Sequence, residues 1–251
     1  MLKLLFPNYK DFKFFTFSEV ESLDKLFSRP FIFKILKRSP SHLAIFLIPF
    51  NSNKPLYFLK AYQPRLFKRN RVKAFKNNFQ KLQNKKIPVL IPHILFYENP
   101  LFSYLNNRGF YGGILYPYFE KGFLKKDSFF KENSKILLKK LVKFIFDLHE
   151  KGILLGDTKY NNFYYDESYG FKIFDLDGLK ILKKRPEIKK RLKDLSSLAM
   201  TLEWIGYKEA SLITFEIYRS FIEPLSPEDK DFYKKCIEIK RRKRMKKLGL
   251  L

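Results

Sequence analysis

Residues 148–178 read LHEKGILLGDTKYNNFYYDESYGFKIFDLDG, and the rest of the chain is read outward from them. The stretch holds two acidic positions in apolar surroundings, Asp157 and Asp175, with Asn162 between them. Ile153, Leu154 and Leu155 lead into Asp157, and Phe163, Tyr164 and Tyr165 follow Asn162. A polar turn at 166–170 separates that run from a second one, Phe171 to Phe174. The pattern predicts a helix end, a catalytic-type loop over 153–165, and a hairpin that returns Asp175 towards Asp157. Two carboxylates and one amide oxygen are hard ligands of the kind Mg2+ takes, especially where phosphates complete its shell.

Composition sets the bounds. A chain of 251 residues can form one large domain or two lobes sharing a cleft. Its 45% apolar and 18% aromatic content supplies a core and excludes a disordered chain. The formal net charge is +26, from 51 basic and 25 acidic residues. Such a surface attracts phosphate-bearing partners: a nucleotide, a nucleic acid or an anionic lipid. From Lys25 to Tyr97 there is no acid at all, against 16 Lys and Arg. The single cysteine, Cys236, excludes an internal disulfide and a cysteine-rich zinc site. His42, His93 and His149 leave little material for a histidine metal centre. The opening MLKLLFPNYKDF lacks the apolar core of a signal peptide, and no apolar run approaches the roughly 18 residues of a spanning helix. A cytoplasmic location is therefore expected.

Along the chain, residues 11–17 suit an edge strand, and Ser18 with Glu21 forms a capping-box pattern for a short helix to Phe27. Phe31–Leu36, Leu43–Ile48 and Leu56–Ala61 follow as apolar runs with turn material at 39–41 and 51–53, a small antiparallel meander. Val72, Phe75, Phe79 and Leu82 lie on one face of a basic helix expected over 65–84. Ile94–Tyr97 and Gly112–Tyr116 read as a fourth and a fifth strand. The clearest helix is expected over 133–151, with Ile136, Leu137, Leu141, Phe144, Ile145 and Leu148 as its apolar face and Gly152 as its stop. Helices are also expected over 194–204, 209–222 and 227–247, the last opening at Ser226-Pro227-Glu228-Asp229 and ending in KRRKRMKK.

The central stretch also carries a resemblance. Asp157-Thr158-Lys159-Tyr160-Asn161-Asn162 resembles the D-x-K-x-x-N catalytic loop of eukaryotic-type kinases, with Asp175 where their metal-binding Asp stands, 13 residues beyond Asn162. The finer wording, in His149, Gly152, Ile153, Gly156, Asp157, Asn162 and Phe163, resembles the bacterial lipopolysaccharide core kinases, which phosphorylate Kdo or heptose. Leu155-Gly156-Asp157 in place of H-R-D, and only a short basic link over 180–190, favour that branch over a protein kinase.

The resemblance implies an α+β, bilobal protein-kinase-like fold. Residues 1–116 would be a small lobe with a five-stranded antiparallel sheet and a basic helix, and 117–251 a mainly helical lobe. It implies ATP and Mg2+ as cofactors, with Asp157, Lys159 and Asn162 catalytic and Asn162 and Asp175 on the metal. Lys60 would meet the nucleotide phosphates, and Tyr116 and Tyr118 would line an adenine through the backbone of a hinge. By itself, a Lys at a strand end is most often a solvated, snorkelling side chain. Asp177 is either a second ligand or a cap. Asp194, in Arg191-Leu192-Lys193-Asp194-Leu195, either supports the loop backbone or caps a helix. His149 is expected to bond a terminal carbonyl of its own helix.

Two family features are missing. The basic helix has no Glu to pair with Lys60, so that either Lys60 pairs with Asp175 and phosphate directly, or Gln80 or Gln83 serves, or the family's Glu has been lost, and no glycine lies between Phe31 and Ile48. The implied acceptor is a lipid-linked core oligosaccharide. The basic C-terminal helix suits an anionic membrane surface on the inner face. The aromatics follow core-like periodicity rather than a base-stacking platform, so nucleic acid is not the expected partner, and no obligate protein partner is implied. The rival readings are another kinase-like phosphotransferase, or a pseudokinase or nucleic-acid-binding protein.

Overall fold

The apolar runs parted by the 39–41 and 51–53 turns become strands of one antiparallel sheet in an α+β protein. A computed structural model describes residues 2–19, 22–66, 68–222 and 225–251. Two compact units divide the chain, Met1–Lys121 and Gly122–Leu251. This break falls a few residues beyond the one expected after Tyr116. The strand there runs on to Pro117, and the Tyr118 N–H still donates to Leu56 O of the first unit at 2.9 Å.

The first unit runs through α1 (Leu2–Leu5), β1 (Lys13–Thr16), α2 (Leu23–Ser28), β2 (Phe31–Ser39), β3 (His42–Pro49) and β4 (Tyr57–Tyr62). It continues with α3 (Arg71–Asn84), β5 (Ile94–Tyr97), α4 (Pro100–Leu105) and β6 (Gly112–Pro117). The strand order is β1-β5-β6-β4-β3-β2, so the sheet has six strands rather than five, β1 joining at the edge of β5. That pairing also delays the helix expected from Ser18. Phe17 N–H still donates to His93 O at 3.1 Å, so the chain remains extended, and α2 begins only after Ser22, whose Oγ accepts from Lys25 N–H. Glu21, the other half of the expected capping box, lies outside the described residues.

On α3 the spacing of Val72, Phe75, Phe79 and Leu82 is realised as the buried face. Its start moves from 65 to Arg71 because the Asn70 side chain caps it, accepting from Lys73 N–H at 2.8 Å. The short α4, which the turn residues had masked, is capped in the same way by Asn99. One face of the sheet packs on an aromatic cluster in which Phe6 meets Phe12, Phe27 and Phe96 edge-on, the closest centroids 4.8 Å apart.

The second unit contains α5 (Ser134–Glu150), β7 (Ile153–Leu154), β8 (Phe163–Asp166), β9 (Gly170–Ile173), β10 (Lys180–Ile181), α6 (Ile188–Trp204), α7 (Ala210–Arg219) and α8 (Pro227–Lys247). The buried stripe of α5 is Leu138, Leu141, Val142, Ile145, Leu148 and His149. Ile136, expected on that face, is exposed. Helix α6 starts six residues before Asp194, which therefore lies inside it and cannot be its cap. At α8 the Ser226–Asp229 capping box forms as the sequence suggests. Among the described residues, no helix is long and apolar enough to cross a membrane.

Candidate active site

Two glycines shape the loop between α5 and β8. Gly152 has φ +80° and Gly156 φ +76°, left-handed values that cost an L side chain strain. Space is short as well: a Cβ would stand 2.8 Å from Leu182 O at Gly152 and 2.9 Å from Gly178 O at Gly156. The 180–182 segment thus lies directly on the loop, with β10 paired to β7 and Leu182 N–H donating to Gly152 O at 2.8 Å. After Gly156 the chain turns outward and presents Asp157, whose side chain is 55% exposed.

The loop then closes on itself. Lys159 Nζ reaches Asp157 Oδ2 at 2.6 Å, and the Asp157 carbonyl accepts from Lys159 N–H at 2.8 Å and from Asn162 Nδ2 at 2.7 Å. Because the amide NH2 of Asn162 is held by the loop backbone, its Oδ1 is the atom left to act as an acceptor or ligand. Phe163 pairs with Ile173 at the base of the β8–β9 hairpin, and Phe174 N–H donates to Asn162 O at 2.9 Å. The hairpin therefore sets half-buried Asp175, the next residue, beside Asn162. Asp177 is buried.

Beneath the loop lies a buried polar chain. Asp194 accepts from Leu155 N–H at 2.8 Å and from Gly156 N–H at 2.7 Å, one carboxylate oxygen for each. Its Oδ2 also meets His149 Nε2 at 3.1 Å. On the far side of the ring, His149 Nδ1 lies 2.7 Å from the Tyr218 hydroxyl, which accepts from Arg191 Nε at 2.7 Å. Arg191 in turn donates to Glu150 at 2.7 Å. Arginine only donates, so the network is satisfied when Tyr218 donates to Nδ1 and Nε2–H donates to Asp194. Burial pushes the Asp194 carboxyl up, but the bonds from His149 and the Leu155 N–H outweigh it and hold the group below its ordinary value.

Two sequence expectations are decided here. Asp194 supports the loop backbone rather than capping a helix. His149 does not bond a terminal carbonyl; Lys151 N–H takes the Asp147 carbonyl and Gly152 N–H takes that of His149. Tyr218 and Glu150 went unnoticed in the sequence, since nothing local marks a hydroxyl 69 residues from its histidine. Lys240 of α8 was missed too. It bonds Ser197 Oγ on α6, and burial lowers its pKa while Asp194 and Asp157 raise it.

In the first unit Lys60 lies within β4 rather than at its end, paired in register with Ala44 and Ile114. Only 7% of it is exposed, which rules out a solvated, snorkelling lysine. Gln80 and Gln83 occupy the exposed face of α3, opposite its packed side, and do not stand in for a helix Glu. Tyr116 is buried against Phe58 and Phe75, while Tyr118 packs edge-on to Phe46. Since the Tyr118 N–H is held by Leu56, a base lying against this segment would need other backbone groups.

The donor chemistry suits Mg2+ held with phosphates. Asn162 and Asp175 offer hard oxygen atoms, and among the described residues no three His, Cys, Asp or Glu gather into a site that would hold a metal unaided. A phosphate-bearing ligand would supply the remaining oxygens. In comparisons with known proteins, no protein-family model matches the chain and no curated protein matches it.

Proposed function

We propose that the protein is an ATP-dependent kinase of a protein-kinase-like, two-lobed fold, transferring a phosphoryl group to a sugar hydroxyl. Its resemblance to the lipopolysaccharide core kinases gives Kdo or a heptose of the inner core as the acceptor. The observation that carries this reading is the Asp194 carboxylate bonded to the Leu155 and Gly156 N–H groups, directly before exposed Asp157. A loop held in this way keeps one carboxylate fixed and open to a substrate, as general-base chemistry requires. The tie between Asn162 and Phe174 and the burial of Lys60 on an inner strand are further support.

In this reading Asp157 orients the acceptor hydroxyl and takes its proton on a carboxylate oxygen. Lys159, already paired with Asp157, would turn to the transferring phosphate. Asn162 and Asp175 would hold Mg2+, and Lys60 would neutralise phosphate charge. Bound Mg2+-ATP would supply the phosphoryl group and the metal's charge. The hinge role of Tyr116 and Tyr118, and a place on the inner face of the membrane, belong to the same proposal.

The test uses gamma-labelled ATP, Mg2+ and a Kdo-bearing lipid A core preparation. Wild type is expected to label the glycolipid. Asp157→Asn is expected to bind nucleotide normally while transfer falls by about 10²–10⁴, the usual weight of a positioned base. Equal turnover in the variant would remove Asp157 from the reaction and the proposal with it.

A further inference from the structure

The packed face of α8 carries a charge. Tyr233, Cys236 and Ile237 are buried on it, and the next position at helical spacing is Lys240, which is only partly exposed. Helix α8 runs parallel to α6. Lys189 lies 6.0 Å from the centre of the Phe232 ring, and further along Arg241 pairs with Glu203 and Arg244 lies over Trp204. This register brings Lys240 Nζ to the Ser197 hydroxyl, which accepts from it. Ser197 lies one turn beyond Asp194 on α6, and Asp194 holds the Gly156 N–H at 2.7 Å, directly before Asp157. Lys240 therefore stands close to the loop, within electrostatic reach of Asp157, Asp194 and Lys193.

We propose that Lys240 and the neighbouring Lys193 form an anion subsite beside Asp157, which takes an acidic group, carboxylate or phosphate, of the sugar acceptor. Reading the ligand as the acceptor rests on the function proposed above. An ammonium group on a packed helix face is disfavoured by burial unless something offsets its charge. The Ser197 hydroxyl takes one of its N–H groups and leaves the charge unmatched. Among the described residues no carboxylate forms an ion pair with Lys240 or Lys193. The acids that act on Lys240 are engaged elsewhere: Asp157 with Lys159 at 2.6 Å, and Asp194 with His149 and the loop N–H groups.

Lys193 is exposed, and its charge lowers the pKa of both Lys240 and Cys236, one turn apart on α8. Two ammonium groups held near one another repel, and an anion between them converts that repulsion into attraction. Carboxylate and phosphate oxygens are the acceptors such groups take. The subsite gives the acceptor a handle separate from its reacting hydroxyl, which fixes that hydroxyl towards Asp157. A neutral sugar gains nothing from it, so the preference is for an acidic acceptor.

The test measures transfer from gamma-labelled Mg2+-ATP against acceptor concentration, alongside calorimetric titration of the full chain with acceptor alone. The acceptor is a Kdo-bearing lipid A core in intact, carboxyl-reduced and dephosphorylated forms. Lys193→Gln, at an exposed site, and Lys240→Met, which keeps the apolar stem and removes the charge, are each expected to raise the KM and Kd for intact acceptor about tenfold, the loss of one charge-assisted contact. The kcat at saturating acceptor and the KM for ATP are expected to stay within about twofold. Lys193→Arg, which restores the charge, is expected to recover wild-type affinity. Lys139→Gln removes a charge from an exposed site on α5 and is expected to stay within about twofold. If the effect of the variants vanishes with carboxyl-reduced acceptor, the group bound is the carboxylate; if it vanishes with dephosphorylated acceptor, it is a phosphate. Wild-type acceptor KM and Kd in both lysine variants, or an equal loss in Lys139→Gln, overturns the subsite. So does a Lys240→Met protein that is less stable but unchanged in acceptor KM, which marks a lysine that only joins α8 to α6, and so does a wild type that binds no form of the acceptor. Lysine-dependent binding with no transfer would keep the subsite and reject the kinase reading; transfer with acceptor affinity independent of both lysines would do the reverse.

Discussion

At the scale of single residues, Asp194 explains why a loop with two left-handed glycines keeps one shape. Three donors end on one buried carboxylate, so removing its charge leaves at least one buried N–H facing another donor. Asp194→Asn is expected to cost about 2–4 kcal/mol in urea unfolding, with transfer falling because Asp157 loses its support. The pH dependence follows from the direction of the shift. The folded pKa lies below the unfolded one, so this contribution is fully present above the ordinary aspartate value of about 3.9 and is lost as pH falls through the folded value. A variant as stable as wild type at pH 7 would show that the loop holds itself. The sequence offered two roles for Asp194 and could not choose between them, because the choice depends on where α6 begins. That start, Ile188, lies six residues upstream, and Glu187 before it makes no side-chain cap bond.

Single elements were more legible than their ends. Periodicity placed α3 and α5, the Ser226-Pro227-Glu228-Asp229 opening placed α8, and the spacing of polar turn and apolar runs placed the β8–β9 hairpin that precedes Asp175. Failures came where local and tertiary signals competed. Ser18 looks like a helix cap, yet the sheet holds the preceding residue extended, and Ile136 fits an apolar stripe that the packed face of α5 leaves to one side. The polar chain from Glu150 to Asp194 had no local signature at all, being assembled from α5, α6 and α7. The loop between α5 and β8 gives the prediction at this scale. Gly156→Ala would carry a Cβ at φ +76° against Gly178 O, which combines left-handed strain with a backbone clash. A loss of about 1–3 kcal/mol is expected. Transfer is expected to fall further than stability accounts for, since the residue moved next is Asp157. Thermal unfolding and turnover measured on one preparation separate the two effects; a variant with wild-type values in both would mean that the loop tolerates a different course.

For the whole molecule, the question is where a net charge of +26 goes. Part of it is used internally. On α8, Arg241 pairs with Glu203, Arg242 with Glu238 at 2.6 Å, and Arg244 lies 4.4 Å from the centre of the Trp204 ring. These three arginines of the polybasic end therefore hold the helix to α6 or are neutralised along it. Lys243, Lys246 and Lys247 are exposed, and exposed Leu248, Leu250 and Leu251 follow them. Ammonium groups beside leucines suit an anionic lipid surface, each adding about 1 kcal/mol near the headgroups. Binding to vesicles with about a third phosphatidylglycerol is expected to weaken by roughly two orders of magnitude when the three lysines become Gln. It is also expected to fall steeply with salt, because charges farther apart than about 8 Å are screened at physiological ionic strength. Arg241→Gln should act differently: by releasing Glu203 it lowers the stability of the α6–α8 pair more than the affinity for vesicles. Co-sedimentation across a salt series, alongside thermal unfolding, distinguishes these outcomes. If the triple lysine variant bound as tightly as wild type, the charge of α8 would be that of a solvated helix.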